Sequence, residues 1–331
     1  MTDRQKAHII GMGAYVPERV MTNADFEKIV DTSDEWIVTR TGIKERRIAS
    51  EEQSTSDMGV LAARRALDDA GLSIDDIDLI LVATMTPDYL CPSVSTILQR
   101  KLGAKMVGAV DISAACCGYV YGISIAKAYV EAGMYRNVLF VTSEKMSAIV
   151  DYKDRRTCVV FGDGAAAMVV SCQAAKFSID AVCLGADGQQ GSLMQVPAGG
   201  SQNPVSLDTI KNRQHYFTMN GREVFKGAVR QMEEVAKECL AVAGIDMSEI
   251  SWLIPHQANA RIIEAMAKRC NLPDNKVYNV IHRYGNTSAS SIPIAFCDLV
   301  AENSVTVGER LLFVAFGAGA TWGATLLKKI S

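Results

Sequence analysis

The feature that most constrains this chain is an internal repeat. Ala70-Gly-Leu-Ser-Ile-Asp-Asp-Ile-Asp-Leu-Ile-Leu81 aligns without gaps on Ala243-Gly-Ile-Asp-Met-Ser-Glu-Ile-Ser-Trp-Leu-Ile254, at an offset of 244 − 71 = 173 residues. Each copy follows an amphipathic helical pattern, Asp57 to Asp69 in the first half and Glu223 to Ala241 in the second. Glycine at a helix end supplies the left-handed cap, and the apolar run after it reads as a strand. A second echo pairs Cys158-Val-Val-Phe-Gly-Asp-Gly-Ala-Ala-Ala with Phe313-Val-Ala-Phe-Gly-Ala-Gly-Ala-Thr-Trp, at 316 − 161 = 155 residues. Both read as strand, glycine turn, strand. Two echoes in the same order imply a duplicated domain, with a period too long for a solenoid. The expected class is α/β with mainly buried sheets, in halves 1–175 and 176–331. Residues 183–221 read as a loop-rich seam.

Bulk properties exclude several functions. A net charge of −3 lacks the basic excess of a nucleic-acid binder. No uncharged apolar stretch reaches the roughly 18 residues of a membrane span, and MTDRQKAHIIG at the start lacks the apolar core of a signal peptide. Nine cysteines, an odd number without a CxxC pair, and four histidines away from ligand spacing argue against a disulfide framework or structural zinc. A reducing cytoplasm and no metal are the expectation.

The chemistry concentrates at three places. Val110-Asp-Ile-Ser-Ala-Ala-Cys116-Cys117-Gly118-Tyr119 joins a strand-like run, Lys105 to Ile112, to a helix over Tyr119 to Ala132 that is nearly uncharged in its first three turns. A thiol there lies near helix N-terminal amides, whose partial positive charge favours thiolate. His256 follows the strand Ile250 to Ile254, at the strand end where α/β sheets collect ligands. Asn286 follows a strand over Val277 to Ile281 and lies 286 − 116 = 170 residues after Cys116, so the two read as counterparts in the two halves. A pseudo-twofold axis would bring these turns to one pocket. Thiol, imidazole and amide together suit acyl transfer, with the turn Phe316-Gly-Ala-Gly319 offering backbone amides to an oxyanion.

These residues resemble those of the β-ketoacyl-[acyl carrier protein] synthase III family, the initiating condensing enzymes of type II fatty acid synthesis. The likeness runs over the whole chain and includes Thr22-Asn23-Ala24-Asp25, Asp31 to Ile43, Ala115-Cys116, Phe161-Gly-Asp-Gly164, Pro255-His256-Gln-Ala-Asn259, Gly285-Asn286-Thr-Ser and Phe316-Gly-Ala-Gly319. The resemblance implies a thiolase fold of two βα halves in five layers, α-β-α-β-α, assembled as a homodimer. It implies Cys116 as the acylated nucleophile, His256 and Asn286 as the decarboxylation pair, and Phe316 beside the malonyl group. It further implies an oxyanion hole from the amides of Cys116 and Ala318. Coenzyme A contacts would come from Trp36, Arg40, Thr41, Arg155 and Asn259. The implied reaction is ping-pong: an acyl-CoA primer, typically acetyl-CoA, acylates Cys116, and malonyl-acyl carrier protein then decarboxylates and condenses with it. Coenzyme A enters as a substrate thioester, and no cofactor is implied. Lys226, Arg261, Lys268 and Arg269 suit docking of an acidic carrier protein.

Four positions depart from the family pattern. Cys117 stands where a small residue is usual, Arg222 where asparagine often contacts coenzyme, and Ala318 within a turn often made of three glycines. Cys91 stands where a bulky phenylalanine often closes the primer pocket of the dimer mate, so longer or branched primers are expected to fit. Two other readings compete: a thiolase-fold acyltransferase or condensing enzyme of secondary metabolism, and a non-catalytic acyl-CoA-binding or redox-sensing protein using the Cys116-Cys117 pair.

Overall fold

Strands built of continuous apolar residues need cover on both faces, and that requirement shapes the whole chain. The computed structural model describes residues 5–302 and 305–331. Its central sheet holds nine strands: β1 (His8–Tyr15), β2 (Leu79–Ala83), β3 (Gly108–Ile112), β4 (Asn137–Glu144), β5 (Gly164–Ser171), β6 (Phe177–Ala186), β7 (Trp252–Pro255), β8 (Arg310–Gly317) and β9 (Thr321–Lys329). Six helices cover it: α1 (Thr55–Ala70), α2 (Val94–Leu102), α3 (Gly118–Glu131), α4 (Gly221–Ala243), α5 (Ala260–Arg269) and α6 (Ser291–Glu302).

The strand order is β7-β8-β9-β6-β1-β5-β4-β2-β3. It splits into two half-sheets, because β1 meets β6 through only His8↔Ser178 and Ile9↔Phe177. Within each half the pairing repeats. Strands β1 and β5 are antiparallel, as are β6 and β9; β2 and β4 are parallel, as are β7 and β8. The offset recurs in the coordinates: β2 to β7 is 252 − 79 = 173, β4 to β8 is 310 − 137 = 173, and α3 to α6 is 291 − 118 = 173. Gly71 and Gly244 cap α1 and α4 in the left-handed conformation, φ 65° and 69°, as the repeat predicts.

Strand parity sorts the core into layers. In β4, Leu139 and Val141 pack outward with α1 and α2, whereas Val138 and Phe140 pack inward with α3 and α6. In the second half Ile254, Leu311 and Phe313 join that same inner core, while Leu253, Leu312 and Val314 pack with α4 and α5. The layers are therefore α, β, α, β, α. Each large side chain fully withdrawn from water here contributes about 1.5–3 kcal/mol, which explains why the first turns of the two middle helices carry no charge.

The structure corrects four local expectations. Residues 277–281 form no strand: Val277 makes a single parallel bridge to Leu253, and Ile281–Tyr284 is one helical turn. The reason is a side chain, since Gln257 Oε1 accepts the Val280 N–H at 2.9 Å and diverts it from a strand partner. Residues 155–160 are turns, not the expected first strand of a hairpin, with only Phe161 bridged, to Asn286. The expected seam at 183–221 begins later than predicted, because β6 runs through Ala186. Finally, β3 is the sheet edge and not a buried strand; Val110 on it is 42% exposed.

Close packing fixes where glycine is required. A Cβ on Gly11 of β1 would stand 2.3 Å from the Ala66 carbonyl oxygen of α1, backbone that cannot yield without moving the helix. Gly11→Ala is expected to destabilise the fold by about 1–3 kcal/mol, read as a lowered thermal midpoint; an unchanged midpoint would contradict this packing.

Candidate active site

Three strand ends and two helix starts converge on one cavity lined by Cys116, His256, Asn286, Phe316 and Asn259, with apolar walls from Met194, Phe217, Phe225 and Ile262. Cys116 sits in a single 3-10 turn, Ala115–Cys117, directly ahead of α3. Ala115 before it is left-handed, φ 46°, and so is Ser288, φ 50°, in the turn ahead of α6. Their separation is 288 − 115 = 173, so the two turns are the true counterparts. That register pairs Cys116 with Ala289, since 116 + 173 = 289, and corrects the expected pairing of Cys116 with Asn286. The turns touch: a Cβ on Gly118 would stand 2.9 Å from Cβ of Ala289.

Asn286 is held by its backbone. Its N–H donates to Val160 O at 2.9 Å and its carbonyl accepts from Gly162 N–H at 3.1 Å. Gly285 makes this possible with φ 64°, where a Cβ would press to 2.7 Å from Val160 O. The Asn286 Oδ1 accepts the Ser288 N–H at 2.8 Å, so the side-chain NH2 is left to donate into the cavity.

His256 lies just beyond β7, its N–H donating to Val314 O at 2.8 Å. Nδ1 is 2.5 Å from Ser291 Oγ, and that oxygen also accepts the Gln257 N–H at 3.3 Å. Among the described residues Nδ1 is the one acceptor within reach of the Ser291 hydroxyl, so the hydroxyl donates to it, which assigns the ring proton to Nε2. Burial lowers the His256 pKa to about 3, so the ring is neutral. His256 and Asn286 thus both present donors.

Burial pushes the Cys116 thiol up to about 12, with the Ser288 hydroxyl opposing the shift and the Glu144 charge adding to it. The expected helix-end preference for thiolate is therefore outweighed by desolvation. Cys117 is buried and its Sγ donates to Thr321 O at 3.3 Å, away from the cavity. The turn after β8 approaches Cys116 closely: a Cβ on Gly317 would stand 3.0 Å from the Cys116 nitrogen. Ala318 needs no left-handed backbone, which falls instead on Gly319, φ 141°.

Other predicted residues lie nearby. The guanidinium carbons of Arg40 and Arg155 are 4.9 Å and 5.2 Å from the Trp36 ring centroid. Asn259 ties this group to the cavity, donating to Arg40 O at 3.0 Å. Thr41 is buried, its hydroxyl donating to Ile37 O at 2.7 Å and accepting from Ile43 N–H at 3.1 Å, so it shapes the helix end and has no free polar atom for a ligand. Of the basic residues, Lys226 is paired with Glu223 at 3.1 Å, Arg269 with Glu233, and Arg261 Nε donates to Thr39 O at 3.1 Å, while Lys268 is exposed. Arg222 and Cys91 are exposed, and neither lines the cavity of its own chain.

Sequence reasoning missed Ser288, Ser291 and Glu144. Glu144 ends β4 fully buried, accepting from Thr86 hydroxyl at 2.7 Å, Met85 N–H at 3.1 Å and Ser288 hydroxyl at 3.1 Å. A lone acid closing the apolar run VLFVTSE was the available signal.

Comparison with known proteins fits this geometry. Residues 110–188 match the family described as 3-oxoacyl-[acyl-carrier-protein] synthase III, and residues 240–329 match its C-terminal part. The chain is 52% identical over 326 residues to the beta-ketoacyl-[acyl-carrier-protein] synthase III of Chlamydia trachomatis serovar D, covering 98% of this chain and 100% of that protein. It belongs to the β-ketoacyl-[acyl-carrier-protein] synthase III family. The family member of Caldanaerobacter subterraneus is 49% identical over 328 residues, covering 99% of both chains. The crystal structure of the Aquifex aeolicus 3-oxoacyl-[acyl-carrier-protein] synthase III superposes with a TM-score of 0.89 at 48% identity, covering 97% of this chain and 99% of that one. The fold is the thiolase fold, and the chain is an acyltransferase of the condensing type.

The neutral imidazole has a measurable consequence. The unfolded chain takes up a proton on this residue near 6.5, the folded one only near 3, so its contribution to stability is lost as pH falls from about 6.5 toward about 3. NMR signals of the His256 ring are expected to stay constant from about pH 5 to about 8; a titration midpoint near 6.5 would refute the assignment.

Proposed function

We propose that this chain joins an acyl-CoA primer to malonyl-acyl carrier protein by decarboxylative Claisen condensation, the opening step of fatty acid synthesis. The observation that carries this reading is the meeting of one thiol with two donors, Cys116 with His256 Nε2–H and Asn286 NH2, in a largely apolar cavity. Two donors aimed at one point suit a reaction whose barrier is the appearance of negative charge on a thioester oxygen. Simple acyl transfer needs no such pair.

In the first half-reaction Cys116 attacks the primer carbonyl and coenzyme A leaves. The oxyanion is held by the amides of Cys116 and Ala318. In the second, His256 and Asn286 bind the malonyl thioester oxygen as carbon dioxide departs, and the enolate carbon attacks the acyl-cysteine. Phe316 packs beside the departing carboxylate, where an apolar wall disfavours its charge. Preorganised donors of this kind are worth about 2.7–4 kcal/mol each. Residues 1–175 would then supply the nucleophile and residues 176–331 the donor pair.

Partners follow from the surface. Trp36, Arg40, Arg155 and Asn259 would hold the nucleotide end of coenzyme A, with Thr41 supporting the helix beneath. Lys226, Arg261, Lys268 and Arg269 would meet the acidic carrier protein, two of them exchanging internal carboxylates for external ones. The unpaired edge of β3, with Val110 at 42% and the nearby Tyr89, Leu90 and Met106 at 63%, 91% and 101% exposure, suits a second copy of the chain, since natural edges of this kind are covered. That arrangement would carry Cys91 to the partner's cavity. No helix of the described residues is long and apolar enough to cross a membrane, in keeping with a cytoplasmic enzyme.

Incubation with acetyl-CoA is expected to leave one acetyl group on Cys116 by mass spectrometry. Cys116→Ser should reduce condensation more than about 1000-fold, and Cys117→Ala should retain most of it. Labelled malonyl-acyl carrier protein should release carbon dioxide only with His256 and Asn286 intact; an adduct without that release would favour plain acyl transfer, and no adduct a binding protein. Cys91→Phe should cut the use of isobutyryl-CoA relative to acetyl-CoA by about 10-fold or more, and an unchanged ratio would remove Cys91 from the primer pocket.

A further inference from the structure

Asn286 is one of the two donors in the reaction proposed above, on which this inference rests, and its backbone fixes its aim. The segment that holds it, Val159 to Asp163, is turn and irregular chain apart from the bridge at Phe161. The backbone hydrogen bonds of that segment reach two ways. Toward Asn286, Val160 O accepts the Asn286 N–H at 2.9 Å and the Gly162 N–H donates to the Asn286 carbonyl at 3.1 Å. The other direction leads to a short antiparallel hairpin, Val20–Thr22 with Glu45–Arg47. There the Asp163 N–H donates to Arg47 O at 2.8 Å, and Val159 O accepts from the Arg46 guanidinium.

Arg46 is fully buried, and among the described residues it is the largest side chain to be so. Its Nη2 donates to Val159 O, while Nη1 donates to Asn23 Oδ1 at 2.8 Å and to Met21 O at 3.3 Å. The guanidinium carbon stands 4.5 Å from the Phe26 ring centroid. Each of these partners is neutral. Burial pulls the guanidinium down to about 10, so it stays charged at neutral pH. Asn23 is tied in turn: its Nδ2 donates to Asp34 Oδ1 at 2.7 Å and to Ile43 O at 2.8 Å. Asp34 opens the helix Asp34–Thr41, which carries Trp36 and Arg40. The stem of Arg46 also lies against the loop around Asn286. A Cβ on Gly162 would stand 3.0 Å from Arg46 Cβ, and one on Gly285 would stand 3.4 Å from it.

A buried cation held by neutral groups alone costs stability, and an apolar side chain of similar volume commonly serves a core better. An apolar side chain cannot bind oxygens on two segments at once. The planar fork of arginine can, whereas the single ammonium of lysine does not reproduce that fork. We propose that Arg46 is a positioning residue for decarboxylation. Its fork fixes Val159 O relative to Asn23. That placement sets Val160 O, and through it the Asn286 NH2, at the point where the malonyl thioester oxygen gains charge. Arg46 does not line the cavity and acts through Asn286. Acylation of Cys116 makes no use of Asn286, so the two half-reactions should respond differently to a change at residue 46.

The test measures the half-reactions separately in the full chain. One assay follows acetylation of Cys116 at saturating acetyl-CoA by mass spectrometry, and the other follows labelled carbon dioxide released from malonyl-acyl carrier protein. Arg46→Lys should slow carbon dioxide release about 10- to 100-fold, the effect of a donor displaced by about 1 Å, with the KM for malonyl-acyl carrier protein unchanged. Acetylation should stay within about 3-fold of wild type. Hydrogen exchange supplies a readout independent of activity. The Asn286 backbone N–H should exchange about 10-fold faster in Arg46→Lys, while the His256 N–H, bonded to Val314 O, should keep its protection. Phe26→Leu removes the ring beside the guanidinium and should give the same selective loss at about 3-fold, the worth of a cation–π contact. It decides the matter should Arg46→Lys not fold. Equal loss in both half-reactions, no loss, or equal deprotection of Asn286 and His256 would overturn the positioning role. Wild-type enzyme that releases no carbon dioxide would overturn the reaction itself, whereas a releasing wild type with unselective variants overturns only the role of Arg46.

Discussion

Everything at this site depends on the burial of two uncharged helix starts against each other between two half-sheets. α3 and α6 carry the inner core, and the turns before them meet at Gly118 and Ala289 with no room for another carbon. That contact sets the spacing between the Cys116 turn and the Asn286 turn. It also removes water, which turns Cys116, His256 and Glu144 into groups whose ordinary ionisation no longer holds. The same desolvation raises the thiol, lowers the imidazole and raises the Glu144 carboxyl to about 7.

A site built this way is made of donors aimed by their neighbours. Ser291 points a proton at His256 Nδ1, and Ser288 occupies Asn286 Oδ1, so each side chain has one orientation left to offer. In the proposed reaction, two donors held without freedom to reorient would need no rearrangement when charge appears, an advantage over water. The apolar wall from Phe316, Met194 and Phe217 strengthens those bonds by keeping the dielectric low.

Much of this was legible in the sequence, for reasons that can be named. The repeat at 173 residues and the glycines at Gly71 and Gly244 are local patterns, and they predicted the α/β class, the duplication and the meeting of Cys116, His256 and Asn286, whereas the five layers were implied by the family resemblance. What the sequence concealed depended on side chains acting as backbone partners. Gln257 unmakes a strand at Val280, and Phe161 joins Asn286 by a bridge across the halves; neither leaves a periodic trace. The charge state of Cys116 was misread because the helix end is visible in sequence, whereas the depth of burial is a property of the packed whole. Glu144 was passed over because a single acid at a strand end has no pattern to repeat.

The duplication itself explains how the chemistry came to be divided. At the common offset Cys116 faces Ala289, His256 corresponds to Ala83 (83 + 173), Asn286 to Ser113 (113 + 173) and Gly317 to Glu144 (144 + 173). Cys116, His256 and Asn286 each have a smaller counterpart without thiol, imidazole or amide in the opposite half. The last pair shows why. Gly317 passes so close to the Cys116 nitrogen that no side chain fits, and the proposed oxyanion hole would need that approach. At the matching end of β4 there is no such constraint, and the buried space holds a carboxyl that reaches the opposite turn through Ser288. Two identical halves would set two thiols against each other, or two imidazoles, and neither arrangement pairs a nucleophile with donors. The fold provides symmetric positions, and the reaction needs them filled asymmetrically.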